Sequence, residues 1–185
     1  MTNVWTLDAG DGELHIRTGV AGRAARMGHR LLVAMTRWQA TVSWADAQPA
    51  GAELVVETDS FEVVSSEGGV AGLSGPEKAL VRSNALKSLD ARRFPEIRFI
   101  ADAPQRIATT DDGYRLTGQL AIRGRSREHV IDLRTEDLGD SWRMSAESRV
   151  RQSDYGIKPY SLLMGSVQVA DDVAVSFTAV HAKDD

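Results

Sequence analysis

The sequence predicts an all-β protein: a single antiparallel up-and-down barrel of roughly eight strands with one inserted α-helix, about residues 76–89. Three observations carry this reading. Long stretches alternate apolar and polar residues, the two-residue period of a strand with one dry and one wet face. Glycine-bearing turns separate these stretches. Helical periodicity occurs once, with Val81, Ala85 and Leu89 on one stripe. A two-sheet sandwich remains open beside the barrel, because alternation alone does not separate the two.

Taken in order, Val4–Leu7 and Glu13–Thr18 are the first strands. Arg30–Trp44 is longer and changes face. Leu31, Val33 and Met35 share one parity, and Trp38, Ala40, Val42 and Trp44 share the other. A bulge or bend is therefore expected near Thr36–Arg37. In Glu53–Phe61, Leu54 and Val56 oppose Glu53 and Glu57. Glu67–Gly75 carries four glycines and reads as a loop. Ser74 and Glu77 then have capping-box spacing, and Pro76 suits a first helical turn. Strands resume at Glu96–Ala101, Gly113–Arg123, Ser126–Leu138, Trp142–Arg151 and Val173–His181. The clearest is GYRLTGQLAIRGRSR, where Tyr114, Leu116, Gly118, Leu120 and Ile122 oppose Arg115, Thr117, Gln119, Ala121 and Arg123 until Gly124 breaks the run.

With 185 residues, 42% apolar and 26% charged, the chain suits one domain over residues 1–185 with a substantial core. A net charge of −4 argues against a nucleic-acid partner. The sequence has no cysteine, which excludes disulfides, thiolate catalysis and Cys-based metal sites. The first residues lack the basic start and apolar run of a secretory signal, and no stretch approaches a transmembrane helix. The expected location is the cytoplasm.

The dry face supplies the candidate ligand-binding residues of the interior: Leu14, Ile16, Trp38, Val42, Leu54, Val56, Phe99, Leu116, Leu120, Ile122, Trp142, Met144, Val175 and Phe177. None is charged, which suits an alkyl or isoprenoid tail. A barrel of about eight strands is either packed solid or holds one small ligand, and the pattern leaves both open. Gly118, Ala121 and Ala146 leave more room than larger residues would. The loop Gly68–Lys78 leads into a helix N-terminus, where an anionic head group could bind, though a plain flexible loop is the simpler reading. Arg123, Arg125 and Arg127, and Arg23, Arg26 and Arg30, read as solvated groups or as contacts to a membrane surface. His15, His29, His129 and His181 have no metal-ligand spacing, and no nucleophile elbow accompanies them. They read as surface or hydrogen-bonded structural residues.

The order of motifs resembles the YceI-like family of lipocalin-like polyisoprenoid-binding proteins. The resemblance runs through VWTLDA (Val4–Ala9), DSFEVV (Asp59–Val64), SNALKSLDARRFPEIRF (Ser83–Phe99), GYRLTGQLAIRGRSR and RQSDYGIKP (Arg151–Pro159). It departs from the family pattern at Gly10–Gly12 and across Gly19–Trp38. It implies an extended eight-stranded barrel that holds a long isoprenoid-like tail, and it implies no enzyme. The expected function is therefore non-enzymatic carriage or storage of an isoprenoid quinone, prenyl lipid or fatty-acid derivative. No cofactor or metal is expected beyond such a ligand. The alternatives are an enzyme acting on such a lipid, which needs an ionisable residue pointing inward, and an empty barrel working through its surface. SDYGIKP reads as a structural corner. Tyr160–Val169 is unusually apolar and reads as a lid, a plug or a homodimer contact.

Overall fold

Backbone pairing draws almost the whole chain into one sheet that closes on itself. The computed structural model describes residues 2–45, 48–102, 105–106 and 113–183. Its strand segments are β1 (Thr2–Asp8), β2 (Gly12–Ala21), β3 (His29–Met35), β4 (Trp38–Ala45), β5 (Gln48–Glu57), β6 (Phe61–Gly68), β7 (Glu96–Asp102), β8 (Gln105–Arg106), β9 (Gly113–Ile122), β10 (Arg125–Asp137), β11 (Ser141–Arg151), β12 (Ser161–Leu162) and β13 (Val167–Ala182), with α1 at Gly75–Ser88. All pairings are antiparallel, in the order β1-β4-β5-β7-β9-β10-β11-β13-β2-β3-β6.

The count of thirteen segments corrects the expected eight uninterrupted strands. Register explains the difference. Asp8 lies opposite Gln39 and His15 opposite Ala34, so β1 and β2 run end to end along β4 and β3. Trp38 lies opposite Val56 and Met35 opposite Phe61, so β5 and β6 also run end to end. Three long strands are broken at one level. The segments fall into roughly eight ladder positions, and the ring closes through β2–β13 and β5–β7.

That level is a crease. The expected bend near Thr36–Arg37 is there, between β3 and β4. Its partner, the turn Thr58–Ser60, interrupts what reads in sequence as one strand, Glu53–Phe61. Thr58 and Ser60 are buried. The Thr58 hydroxyl donates to the Phe94 carbonyl at 2.9 Å, and its N–H donates to the Pro95 carbonyl at 2.8 Å. The Ser60 hydroxyl donates to the Glu57 carbonyl at 2.8 Å. Both buried hydroxyls therefore have a partner, as burial requires.

Beyond the crease β6 has a free edge, which α1 covers. The Arg82 guanidinium donates to the carbonyls of Phe61 and Asp59, and Lys78 Nζ donates to the Val64 carbonyl at 3.1 Å. These bonds satisfy strand carbonyls that have no neighbouring strand. The helix itself starts where capping chemistry places it. The Glu77 N–H donates to Ser74 Oγ, and the Ser74 N–H donates to the Glu77 carboxylate at 2.7 Å. Those bonds hold the Glu77 carboxyl below its ordinary pKa. The helix N-terminus is thus occupied by the chain's own carboxylate, which answers the reading of that loop as an anion site.

Glycine is required at two places. Arg123 and Gly124 have φ of 50° and 73°, the paired positive values of a tight hairpin turn, and a Cβ on Gly124 would sit 2.6 Å from the Phe94 ring. At Gly118 a Cβ would come within 2.2 Å of the Ile100 carbonyl. Gly118 therefore admits the backbone of β7, not a ligand. Removing the cap with Ser74→Ala should cost about 1 kcal/mol. The urea midpoint should fall with an unchanged slope.

Candidate functional site

The barrel is solid at one end and hollow at the other. The solid end lies below the crease. Trp38 is buried there with its ring edge-on to Phe177 at 5.3 Å, and Leu7, Met144 and Ala179 pack in the same cluster. Trp5 stacks at a tilt on Trp44 at 4.6 Å and on His181 at 4.4 Å. Lys183 Nζ caps the Trp142 ring at 4.4 Å.

Toward the other end is a cavity of about 590 Å³, which reaches past the crease along β5 and β7. Leu14, Ile16, Leu54, Val56, Phe99, Leu120, Ile122 and Val175 line it, all of them candidates from the dry face. Trp38, Val42, Leu116, Trp142, Met144 and Phe177 do not, and the expectation that they would is corrected. Parity says that a side chain points inward; it does not say at what height. Val42 lies opposite Trp5 and Trp142 opposite His181, both in the plugged end. Leu116 is buried in the packed cluster with Ala101 and Tyr155. Gly118, Ala121 and Ala146 line no part of the cavity.

The mouth and one wall come from residues outside that set. Val81, Asn84 and Ala85 of α1 face the cavity, and Met27, Leu80, Tyr160 and Leu162 stand at its rim. Tyr160 and Leu162 belong to the segment read as a lid or plug. Val150 and Ile131 share the strand parity of the interior and could have been found from it. The same parity identifies His129, which lies two residues before Ile131.

His129 corrects the expectation that no ionisable group points inward. Its Nε2 lies 2.6 Å from Ser148 Oγ, and its ring stands edge-on to Phe99 at 6.4 Å. Burial lowers its pKa below the ordinary 6.5, so the ring is neutral at pH 7. The pair also spans a seam. Backbone pairing of β10 with β11 runs from Leu133 to Asp137 against Trp142 to Ala146. Above it, His129–Ser148 and the donation from Arg127 Nε to the Asp154 carbonyl at 3.0 Å tie the wall.

Chemically the cavity is dry and holds no cation: among the described residues, no Lys or Arg lines it. His29 and Glu77 reach its rim, but His29 Nε2 is engaged with the Ala71 carbonyl at 2.6 Å and Glu77 with its cap. No group of His, Asp and Glu among the described residues could hold a metal ion. His15 sits near Glu13 at 3.8 Å and His181 belongs to the aromatic plug. A second depression, of about 360 Å³, lies on the wet face around Arg17, Glu147 and Arg149.

The basic hairpin is structural. Arg123 Nη1 donates to the Gly156 carbonyl at 2.8 Å, and the Arg125 guanidinium packs over Gly156. With Arg127 they clamp the corner Gln152–Tyr155, which drives Tyr155 and Ile157 into the core.

Comparison with known proteins now decides the family. The model of the YceI-like domain matches residues 5–181. The chain belongs to the YceI-like family. Among solved structures it is similar to Burkholderia cenocepacia BcnA, with a TM-score of 0.71 at 17% identity over 95% of this chain and 99% of that one. It is also similar to a Campylobacter jejuni YceI protein, with a TM-score of 0.60 at 14% identity over 83% and 85%. Likeness at these identities shows a shared fold. No curated protein matches the sequence. The YceI-like match and these likenesses agree with an all-β, lipocalin-like barrel.

Two outcomes follow from the solid and hollow ends. Leu116→Phe should overpack the filled region and cost roughly 1–3 kcal/mol. Leu120→Phe, with the cavity beside it, should change the stability of ligand-free protein little. Denaturant titration of both variants checks the contrast. His129 supplies a pH signature. Its folded pKa is depressed, so the unfolded chain binds more protons as pH falls through the ordinary histidine range. Stability therefore declines toward acid. His129→Gln should show a smaller loss of urea midpoint than the parent between about pH 7 and about pH 5.5.

Proposed function

We propose that this barrel carries or stores a long apolar molecule whose tail lies in the cavity. The observation that carries the reading is the cavity itself: about 590 Å³, walled mostly by aliphatic and aromatic side chains, with no Lys or Arg among its described lining residues. That volume falls within the usual range for small-molecule sites. Burying a tail contributes about 0.8 kcal/mol per CH₂ before ordering costs. The lack of a cation selects among cargoes. A carboxylate or phosphate drawn into the dry cavity would be an unpaired buried charge. A neutral head, as in an isoprenoid quinone, a prenyl alcohol or an esterified fatty acid, carries no such penalty. His129 and Ser148 offer a neutral polar contact for it.

The His129–Ser148 contact also favours a second reading, an esterase acting on a lipid. Catalysis by such a pair needs a group that orients the imidazole and donors that stabilise the oxyanion. His129 is flanked by the Phe99 ring, and its shift in pKa comes from burial rather than from a carboxylate. Binding without chemistry fits that environment better.

Native mass spectrometry of freshly purified protein, followed by solvent extraction, should reveal a neutral isoprenoid or acyl species. Leu120→Phe should reduce the amount that co-purifies and weaken uptake of an apolar fluorescent dye about tenfold. Parent protein that purifies empty and takes up no dye would refute the carrier. Turnover of a long-chain acyl ester that disappears in Ser148→Ala would establish the enzyme instead.

A further inference from the structure

We propose that the cavity mouth is a docking surface for an anionic lipid bilayer, with Leu163 and Met164 as its inserting tip. Because the surface surrounds the mouth, the idea rests on the reading of the cavity as a lipid site.

The tip is apolar, exposed and held out by its backbone. Leu162 and Leu163 are 53% and 63% exposed, and Met164 is fully exposed. Leu163, Met164 and Gly165 have φ of 51°, 56° and 87°, three successive left-handed residues, two of which carry side chains that disfavour that region. Strain of this kind persists only where the surroundings enforce it, and it collects at functional segments. Here the Ser166 N–H donates to the Leu163 carbonyl at 3.1 Å, and the Ala24 N–H donates to the Ser166 carbonyl at 2.8 Å. The turn is therefore fastened to the segment Gly22–Met27 and presents its two side chains outward.

The tip is continuous with the mouth. Leu162 and Tyr160 beside it line the cavity, as do the exposed Met27 and Leu80 across the opening. A contiguous apolar rim around an apolar cavity marks an interaction site. Charge then selects the partner. Arg23 and Arg26 flank the tip with no acidic partner among the described residues, and Lys158 stands between cavity-lining Ile157 and Tyr160 in the same condition. Of the other charges near this end, Arg30 lies opposite Glu67, Glu77 is spent on the helix cap, Asp172 pairs with Arg151, and the Asp171 carboxylate accepts from the Ser153 N–H and hydroxyl. The chain as a whole carries −4 and is repelled by an anionic surface. The free cations therefore decide which end approaches it, while the apolar tip enters the interface.

The test places a reporter at the tip. The native tryptophans sit in the closed half of the barrel, so Met164→Trp reports insertion directly. Its emission should shift to the blue with phosphatidylcholine vesicles containing phosphatidylglycerol, and little with phosphatidylcholine alone. Salt should weaken the binding. In vesicle pelleting, Arg23→Ala with Arg26→Ala should reduce affinity about thirtyfold, and Met164→Asp should abolish pelleting. Dye uptake in vesicle-free buffer should match the parent in Met164→Asp. Parent protein that ignores anionic vesicles, or pellets equally well as Met164→Asp, overturns the docking surface even where dye uptake is intact. Vesicle binding without dye uptake overturns the cavity reading and leaves the surface. A homodimer, the other occupant expected for Tyr160–Val169, that Met164→Asp converts to monomer would assign the tip to a second copy and overturn the bilayer.

Discussion

The polar crease around Thr58 and Ser60 is the constraint on which the rest of the architecture depends. A sheet closes into a barrel only if its strands twist and coil enough to bring the ends together. Here the bending is concentrated at one level on the three longest strands, at residues 9–11, 36–37 and 58–60. Two hydroxyls buried there bond to carbonyls that the bend frees from the ladder. The same bend swings β6 away from β7 and leaves it a bare edge. The helix exists to cover that edge, and it does so with Arg82 and Lys78 as well as with Val81 and Ala85. The exposed ion pairs of Arg37 with Glu57 and Asp59 dress the crease from outside, and pairs this exposed contribute little.

The crease also separates two regimes of packing. Below it, rings and aliphatic side chains meet across the barrel and fill it. Above it, the buried cluster continues through Val33, Phe61 and Val63, and the cavity opens beside it. Side chains facing an empty cavity forgo dispersion contacts that a packed core would give. A closed end with four tryptophans, three of them at the very bottom, offsets that loss and holds the ring shut. The division of labour resembles a vessel with a weighted base: stability is concentrated where no ligand goes.

How much of this was legible in the sequence depends on which physical signal each feature leaves. Alternation is a local signal, so nearly every strand and its inward face could be read from it. Capping chemistry is local too, and Ser74, Pro76 and Glu77 placed the helix start to within a residue. The parity switch between Met35 and Trp38 disclosed one bend. The bend at Thr58–Ser60 left no such trace, because two small polar residues buried by tertiary contacts look like any exposed stretch. The last strand starts at Val167 and not at Val173, since Asp171 and Asp172 interrupt the pattern at a bulge. Above all, height along the barrel axis is not a sequence property. Leu116 and Leu120 are indistinguishable by pattern and are buried in the same cluster, yet only Leu120 borders the cavity. His129 was obscured by chemistry. A histidine on a polar-looking strand reads as exposed until the seam it ties becomes visible.

The distribution of charge follows from the same geometry and bears on function. Arginines are plentiful, but the fold turns them outward and engages several in backbone work. Arg123 and Arg127 donate to carbonyls of the Ser153–Gly156 corner, and Arg82 donates to those of the crease. Guanidinium groups suit this task, because each supplies several donors on a rigid frame and stays charged. Irregular turns, whose carbonyls no ladder satisfies, are thereby fastened from outside. The interior spends few polar side chains on such turns, Gln152 donating to the Ala170 carbonyl among them, and stays mostly apolar. Along the upper length of the seam between β10 and β11, where backbone pairing stops, Arg127 ties the wall from outside and a histidine that burial keeps neutral ties it from within. A neutral tie across the wall preserves what the arginines outside make possible: a mostly apolar space that no Lys or Arg among the described residues lines.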